Sequence, residues 1–365
     1  MGVCTSAERD EEAAVHPERS EGNTIVLIGP AKSGKSTLFK QLILNFGEGF
    51  SVEDRKSYSD AIRCRTLEYM QQLIQENEKL LSEGDSVIEA KGKDLQLDEE
   101  HRESSKVVLG QDPYQERINV LRSSVAKHVD KLWATPAIQA TFELKDHFQK
   151  RLNENANHFL SQASKIGEDN YIPSVEDIMR CRQRTIGNTD NKFSYEGIDF
   201  TVYDLGGQWD ERRHWHQFIA RASTIVFMVN MAGYDEALHE DRKINCMEDA
   251  STLFARLSGA SIYRDIPIVV FFNKMDVFRS KIKRIPLTQC PLFEDFDGAE
   301  GDVDAAAKNI QTHFDSCKFA SQGKFRRSVK YHFLCALDIE AVKTIFNSVM
   351  THVLKQQLLA SGLSL

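Results

Sequence analysis

The sequence predicts an α/β protein whose mostly parallel, six-stranded sheet is interrupted by an inserted all-α domain. Strand-like runs near both ends of the chain are nearly continuously apolar and alternate with helical segments, which is typical of a parallel sheet covered on both faces. Between residues 51 and 177, strand signals are nearly absent and helical periodicity dominates. Strands resume after this stretch, so an insert is favoured over a separate tandem domain.

The predicted strands lie at residues 24–28, 192–195, 198–203, 224–229, 266–272 and 329–334. A Glu196-Gly197 turn joins the second and third into a hairpin. In the helical stretch, apolar residues between Ile62 and Ile74 recur at spacings near three and four and predict a helix of about seven turns. Further helices are predicted at 120–133, 138–148, 156–160, 175–179, 240–257, 303–319 and 338–359, and the polar residues 82–113 are predicted as a loop.

These elements divide the chain into an N-terminal segment at residues 1–23, a sheet domain at 24–48 and 181–365, and an all-helical domain at 51–178. The net charge of −8, without a sustained basic stretch, argues against a nucleic-acid partner. The seven scattered cysteines include no C-x-x-C pair, which argues against a disulfide framework or a zinc site. No run approaches the length of a membrane span, and no secretory signal is recognisable.

A glycine-rich turn follows the first predicted strand and precedes a helix. Residues 29–37 read Gly-Pro-Ala-Lys-Ser-Gly-Lys-Ser-Thr, which matches the phosphate-binding pattern G-x-x-x-x-G-K-S in the required context. Successive backbone N–H groups and the helix N-terminus would face a polyphosphate. The residues predicted to bind nucleotide here are Lys32, Ser33, Gly34, Lys35, Ser36 and Thr37. Lys35 would reach the β- and γ-phosphates, and the Ser36 hydroxyl would bind Mg²⁺.

Two further motifs follow the ends of predicted strands. Residues 204–208 read Asp-Leu-Gly-Gly-Gln. The Asp204 carboxylate would bind in the Mg²⁺ shell, directly or through water. The Gly207 N–H would contact a γ-phosphate, and Gln208 would orient an attacking water. A chance turn is the alternative for this motif by itself, and the preceding phosphate loop favours the functional interpretation.

The second motif, Asn-Lys-Met-Asp at residues 273–276, follows the strand 266–272 and suits guanine. The Asp276 carboxylate can accept from both the N1–H and the exocyclic amine of guanine, a donor pair that adenine lacks. Asn273 would bind the other edge of the base, and the Lys274 stem would lie over the ring. After the last strand, Cys335-Ala336 would offer a backbone N–H to the guanine oxygen. A helix start capped by an Asp is the structural alternative for this turn.

The order of these motifs resembles the α subunit of heterotrimeric G proteins, a Ras-like P-loop GTPase with an inserted helical domain. The resemblance extends from residue 24 onward. It includes Leu-Trp-Ala-Thr-Pro-Ala-Ile-Gln at residues 132–139, residues 177–187 as switch I, residues 207–215 as switch II, and residues 281–287. The resemblance implies a GTPase that hydrolyses GTP to GDP with Mg²⁺ bound. Loss of the γ-phosphate would release both switches.

The resemblance also implies site roles in both switches. Arg182 falls at the position of the arginine finger that neutralises charge on the transferring phosphate. Thr185 falls at the position that binds Mg²⁺ when GTP is present, and Gln208 orients the hydrolytic water. The catalytic residues are therefore expected to be Arg182 and Gln208, and the metal ligands Ser36 and Thr185.

The start of the chain fits the myristoylation pattern M-G-x-x-x-S on Gly2, and Cys4 beside it is a candidate palmitoylation site. Two acyl chains anchor a protein stably where one does not. The expected location is therefore the cytoplasmic face of the plasma membrane. The resemblance further implies a βγ dimer, an effector, an RGS protein, and a seven-helix receptor bound through the apolar C-terminal tail as partners.

Several positions depart from the family pattern. Ala31 and Lys32 stand where Gly-Glu is usual, and a methyl near Gln208 together with an added positive charge predicts slow hydrolysis. The segment before the phosphate loop is about ten residues shorter than expected for this family and contains Pro17, which weakens the expectation of βγ binding, although Trp215 and the switch II surface favour it. Ile186 replaces a common threonine in the RGS contact.

Three alternatives to a cycling GTPase differ in their standing. A P-loop ATPase or kinase is disfavoured by the Asn273–Asp276 motif. A nucleotide-binding scaffold that hardly turns over remains open because of Ala31 and Lys32. A dinucleotide enzyme is excluded, since the loop lacks the G-x-G-x-x-G spacing.

Overall fold

A computed structural model of the chain describes residues 23–83, 95–114, 121–145, 148, 152, 155–181, 187–317 and 329–360. Its sheet contains six strands: β1 (Asn23–Ile28), β2 (Asn188–Tyr195), β3 (Ile198–Leu205), β4 (Thr224–Asn230), β5 (Ile268–Asn273) and β6 (Val329–Phe333). They lie in the order β2-β3-β1-β4-β5-β6, and only β2 and β3 are antiparallel to each other. The predicted mostly parallel, six-stranded α/β sheet is confirmed.

The helices before β2 are α1 (Lys35–Phe46), α2 (Val52–Ser57), α3 (Ser59–Glu83), α4 (Glu99–Leu109), α5 (Ser123–Trp133), α6 (Pro136–Glu143), α7 (Ala156–Leu160), α8 (Ala163–Ile166) and α9 (Val175–Arg180). Those after it are α10 (Trp209–Arg212), α11 (Trp215–Ile219), α12 (Cys246–Gly259), α13 (Met275–Lys281), α14 (Val303–Cys317) and α15 (Ile339–Ala360). Short 3₁₀ turns lie at Met231–Gly233, Ser261–Tyr263, Leu287–Gln289 and Pro291–Phe293. Across the described part of the chain, none of these helices combines the length and the apolar composition that a membrane crossing requires.

Both faces of the sheet are buried because side chains alternate along each strand. In β1, Ile25 and Leu27 belong to a cluster completed by α1 and α15, whereas Val26 and Ile28 belong to another cluster completed by α11, α12 and α14. The strand is therefore apolar at every core position, as the continuous run of Ile25 to Ile28 predicts. This packing fixes the carboxyl end of β1, where the phosphate loop begins.

The helical insert has its own hydrophobic cluster, formed by buried residues of the described segments between Ile62 and Cys181. The predicted stripe on α3 is confirmed: Ile62, Leu67, Met70, Leu73 and Ile74 are all fully buried. α3 has 25 residues, which corresponds to about seven turns. A separate short helix, α2, precedes it, because Ser51 and Asp54 form a reciprocal capping box.

The prediction of a continuous loop at residues 82–113 is wrong, because this stretch contains α4. The Asp98 side chain accepts from the His101 backbone N–H and begins the helix. α4 buries Ser104, Ser105 and Val108, and it packs on α5. Two of those three buried residues are serines, so an apolar periodicity could not be recognised. Residues 84–94 lie outside the described part of the chain.

Other predicted boundaries also move, among them the helix predicted at 138–148, which the structure gives as Pro136–Glu143. Two of these shifts have local reasons. The helix predicted at 240–257 begins only at Cys246, because Asn245 and Glu248 form a capping box there. The strand predicted at 192–195 begins at Asn188, which pairs with Leu205 of β3. Its early residues are polar and exposed at the sheet edge, so they lack an apolar signal. The predicted Glu196-Gly197 hairpin turn is confirmed, with both residues at positive φ.

Candidate functional site

The glycine-rich turn between β1 and α1 forms a tight loop around the Lys35 side chain. Lys35 is buried, and its Nζ donates to the carbonyls of Gly29 (3.0 Å) and Pro30 (2.9 Å). Gly34 has φ 100° and precedes the first helical residue, so the loop enters α1 through a conformation that favours glycine. A Cβ on Gly34 would clash with Asn273 Nδ2. The loop therefore contacts the guanine-type motif directly.

Ser33 supports a ligand-binding role for this loop. The residue is fully buried, and its hydroxyl has no hydrogen-bond partner among the described residues. An unpaired buried hydroxyl costs free energy unless something else accepts or donates there. A phosphate oxygen at the mouth of the loop is a suitable acceptor.

The residues beside the loop fit a magnesium ion. Ser36 is the second residue of α1, and the buried Asp204 lies near the end of β3, paired in register with Leu27 of β1. Hydroxyl and carboxylate oxygens are the ligands that Mg²⁺ prefers. The strand pairing thus brings Asp204 to the same edge of the sheet as the phosphate loop, as the sequence predicts for parallel strands.

Gly207 lies against the phosphate loop with no room for a side chain. A Cβ on Gly207 would clash with Lys35 Nζ and would lie 2.7 Å from Gly29 O and 2.8 Å from the Pro30 carbonyl carbon. Gln208, which is half-buried, precedes α10, and its carbonyl accepts from the N–H groups of Glu211 (3.1 Å) and Arg212 (3.2 Å). The short helix α10 therefore fixes the backbone of Gln208 beside the loop.

α10 is itself held on two sides by contacts that the sequence did not predict, although Glu211 and Arg212 lie in the predicted switch II segment. Arg212 forms a bidentate ion pair with Asp249 of α12 (2.7 and 2.6 Å) and donates through Nε to Gly207 O (3.0 Å). Glu211 accepts from the Gly187 N–H (2.9 Å) at the start of β2. The contacts of Arg212 with Asp249 and of Glu211 with Gly187 join residues distant in the chain, so spacing alone gave no signal for them.

Trp215 supports the same arrangement from inside the protein. It is only 8% exposed, and its Nε1 donates to Gly206 O (2.9 Å). Trp215 is therefore too buried to contribute to the expected βγ-docking surface. Of the two tryptophans in this segment, Trp209 is the exposed one. Because Trp215 contacts Gly206, its emission is expected to report movement of the segment that contains Gly207 and Gln208.

Asn273 connects the phosphate end of the site to the predicted guanine end. Its Nδ2 donates to Ser33 O (2.8 Å), and its Oδ1 accepts from the Ala336 N–H (2.9 Å). Gln41 of α1 donates to Ala336 O (3.0 Å). Asn273 thus engages the Ala336 N–H, one of the backbone N–H groups of the Cys335–Ala336 segment that is predicted to face the guanine oxygen. These bonds place the phosphate loop and the Cys335–Ala336 loop side by side.

The remaining residues of the guanine-type motif lie at the same edge. Lys274 adopts φ 64°, which turns the chain sharply between β5 and α13, and Asp276 is exposed in the first turn of α13. Burial raises the pKa of the Cys335 thiol to about 11, and the nearby Asp276 carboxylate adds to that rise. The thiol is therefore protonated at neutral pH. Asp276 lies next to the Cys335–Ala336 loop, which is the position that a base-binding role of the carboxylate requires.

Lys32 is exposed at the tip of the phosphate loop, with φ 66°. Burial raises the pKa of the Cys246 thiol to about 12, and the Lys32 ammonium partly opposes that rise. The Lys32 charge thus lies near the start of α12. Thr37 is half-buried in the first turn of α1.

Four predicted site residues lie outside the described part of the chain. They are the lipidation candidates Gly2 and Cys4 and the switch I residues Arg182 and Thr185. The C-terminal residues 361–365 also lie outside it. Their predicted roles stay predictions.

The six-stranded sheet, the phosphate loop and the helical insert define the class of this protein: a Ras-like GTPase fold with a helical domain. A family model described as "G-protein alpha subunit" matches residues 5–353. The chain therefore belongs to the G-protein alpha subunit family.

Individual relatives agree with this assignment. The chain is 31% identical over 340 residues to the guanine nucleotide-binding protein alpha-4 subunit of Dictyostelium discoideum, covering 92% of this chain and 90% of that protein. It is 30% identical over 339 residues to the guanine nucleotide-binding protein G(o) subunit alpha of Locusta migratoria, covering 93% and 90%. These identities make it a divergent alpha subunit, within a family of GTP-binding signalling switches.

Proposed function

We propose that this protein binds GTP with Mg²⁺, hydrolyses it to GDP, and couples a membrane receptor to an effector through the change between the two states. The observation that carries the proposal is the Asn273 carboxamide, which ties the phosphate loop at Ser33 to the loop at Ala336. A phosphate-binding end and a guanine-suited end at one edge of the sheet match the two ends of a guanine nucleotide.

The chain's own residues divide the work of hydrolysis. Lys35 and the loop N–H groups bind the phosphates, while the Gly207 N–H, in contact with the loop, is placed for the γ-phosphate. Gln208 orients the attacking water, and Arg182 neutralises charge on the transferring group. Ser36, Thr185 and Asp204 would hold Mg²⁺, which neutralises phosphate charge when bound.

The contacts of α10 support a two-state switch. Arg212 fixes Gly207 to α12 through Asp249, and Glu211 fixes α10 to Gly187, the last residue of the switch I segment. Both switch segments thus meet at α10. A γ-phosphate bound by Gly207 would favour this closed arrangement, and its loss would remove that preference.

The wider partners follow from family membership and are part of the same proposal. Acylation of Gly2 and Cys4 would anchor the chain at the cytoplasmic face of the plasma membrane. A receptor would bind the C-terminal tail, and an effector and an RGS protein would bind the GTP state. A βγ dimer would dock on the GDP state, with exposed Trp209 in the contacting surface.

Replacing Asp276 with asparagine tests the guanine assignment. The carboxylate accepts two hydrogen bonds from guanine, and the amide offers an acceptor and a donor instead. We expect Asp276→Asn to weaken GTP binding about 100-fold or more. Xanthosine triphosphate, which has a carbonyl where guanine has its amine, should then bind better than GTP, as measured by competition against labelled GTP.

The control for that experiment is the neighbouring Asp338, whose carboxylate accepts from the Ala341 N–H and caps the next helix. Asp338→Asn should leave the ratio of GTP to xanthosine triphosphate unchanged. Unlabelled ATP should fail to displace GTP from the wild-type protein. Displacement by ATP at similar concentration would contradict the proposal and favour an ATPase or kinase.

A slow or non-cycling nucleotide-binding scaffold is the second candidate, and Ala31 and Lys32 favour it. Ala31 places a methyl group in the phosphate loop, near the expected position of Gln208. Lys32 places an additional positive charge in the same loop. We expect the double substitution Ala31→Gly/Lys32→Glu to accelerate single-turnover GTP hydrolysis about tenfold. An unchanged rate would show that these two residues do not limit turnover. The hydrolysis rate of the wild-type protein and of the double variant is then measured with and without an RGS protein. Acceleration by the RGS protein indicates a slow switch, and no acceleration indicates a scaffold.

A further inference from the structure

Lys40 of α1 is a buried lysine whose ammonium spans two parts of the fold. It is 7% exposed, and its Nζ donates to Ile178 O (2.8 Å) and Cys181 O (3.0 Å). Both carbonyls lie at the C-terminal end of α9, the last helix of the insert. Lys40 therefore joins the helix that starts at the phosphate loop to the helix that ends the helical insert.

The surroundings of Lys40 suit a charged ammonium. The last carbonyls of a helix carry partial negative charge, and a cation there is stabilised. The Tyr58 ring, located between α2 and α3, lies 4.9 Å from Nζ and adds a cation–π contact. Burial lowers the pKa of Lys40, and the Cys181 and Asp204 side chains oppose that shift. A methylene chain alone would fill the same space without binding these carbonyls.

The position of Lys40 along α1 gives these bonds a functional meaning. Lys40 follows Lys35 by five residues on the same rigid helix. Cys181, at the other end of the bond, directly precedes Arg182 in the chain. One side chain thus links the helix that begins at the phosphate loop to the point where the switch I segment leaves the insert.

We propose that Lys40 is a positioning residue that clasps the end of α9 to α1, restrains the insert over the nucleotide, and sets the starting point of the segment that carries Arg182. This inference rests on the proposed function, because it assigns Lys40 a role in nucleotide retention and in hydrolysis. Gln41, the next residue, donates to Ala336 O, so α1 holds both the end of the insert and the Cys335–Ala336 loop through adjacent side chains.

The test replaces Lys40 with methionine, which keeps the length and removes the charge and the donors. Lys106→Met is the matched control, since Lys106 is exposed in α4 and its ammonium pairs with the exposed Glu103 carboxylate (3.1 Å). We expect Lys40→Met to release a fluorescent GDP analogue about tenfold faster and to hydrolyse GTP in a single turnover about tenfold more slowly. Lys106→Met should match the wild-type protein in both measurements.

A double-mutant cycle with Arg182→Ala separates positioning from general damage. If Lys40 acts through Arg182, Lys40→Met should slow hydrolysis less than twofold in the Arg182→Ala background. An equal loss of hydrolysis in both backgrounds, or unchanged GDP release in Lys40→Met, overturns the proposal. Should Lys40→Met fail to retain GDP well enough to purify, Tyr58→Leu replaces it. About threefold faster release in Tyr58→Leu supports the clasp, and unchanged release overturns it.

The experiment also distinguishes failure of the clasp from failure of the proposed function. If the wild-type protein binds GTP but does not hydrolyse it, the catalytic part of the proposed function fails. The release measurement then decides on the clasp alone. If the wild-type protein hydrolyses GTP and Lys40→Met behaves like it, the clasp fails and the proposed function stands.

Discussion

Replacing Lys35 with methionine is expected to weaken GTP binding by about 100-fold or more, because charge-assisted hydrogen bonds to phosphate contribute about 1.5–3 kcal/mol each. Lys35 is the buried cation of the phosphate loop, and its Nζ lies within hydrogen-bond distance of Gly29 O and Pro30 O. Methionine fills the same volume without charge or donors. The loss is measured by titration of a fluorescent GTP analogue, with thermal unfolding as the check on folding.

Lys32→Met is the matched control in the same loop. Lys32 is exposed, and its backbone rather than its side chain is expected to face the phosphates. We expect GTP affinity in Lys32→Met to change by less than about threefold, since an exposed charge contributes little. Equal losses in the two variants would mean that net positive charge, and not the buried position of Lys35, determines binding.

The substitution Gly207→Ala is expected to abolish the preference for a GTP analogue over GDP. The added methyl would lie 2.7 Å from Gly29 O and 2.8 Å from the Pro30 carbonyl carbon, both of them backbone atoms of the phosphate loop. Neither can move without deforming the loop, so Gly207 must move away from it. The segment would then lose its place beside Lys35 while the binding of GDP phosphates persists. We expect the ratio of GTP-analogue to GDP affinity to fall about 30-fold or more.

Tryptophan emission gives the direct readout for Gly207→Ala. Trp215 donates to Gly206 O, so a GTP analogue should change its emission in the wild-type protein and leave it unchanged in the variant. Gly110→Ala is the control, because Gly110 has φ −73° and a Cβ added there would come no nearer than 3.2 Å to a neighbouring atom, the Lys106 carbonyl oxygen. A normal emission change in Gly207→Ala would show that the closed arrangement does not require Gly207 against the loop.

The fold could be predicted largely from the sequence because the central strands β1, β4 and β5 have continuous apolar runs and the β2–β3 hairpin has a local turn signal. β1, the Glu196-Gly197 hairpin and the stripe on α3 all follow from patterns within a few residues. α4 could not be predicted, because it buries Ser104 and Ser105 where an apolar stripe was expected. The start of α12 is set by the capping box of Asn245 and Glu248, which begins the helix at Cys246 and not at residue 240 as predicted.

The candidate site divides along a similar line. Lys35, Gly207 and Asp276 belong to short motifs whose chemistry can be interpreted from spacing. The bonds that hold these motifs together join distant residues: Asn273 and Ser33 are 240 positions apart, and Lys40 and Cys181 are 141 apart. A single sequence contains no signal for such pairs, so the supporting contacts became visible only once the chain was folded.

Asn273 has a consequence for how the cleft empties. Its one carboxamide touches both the loop around Lys35 and the loop at Ala336, and Gly34 is packed against it without room for a methyl group. A conformational change that loosens one loop therefore also loosens the other, because both are bound to Asn273. Departure of the ligand should be a single cooperative event, with no long-lived intermediate in which the base has detached and the diphosphate is still gripped.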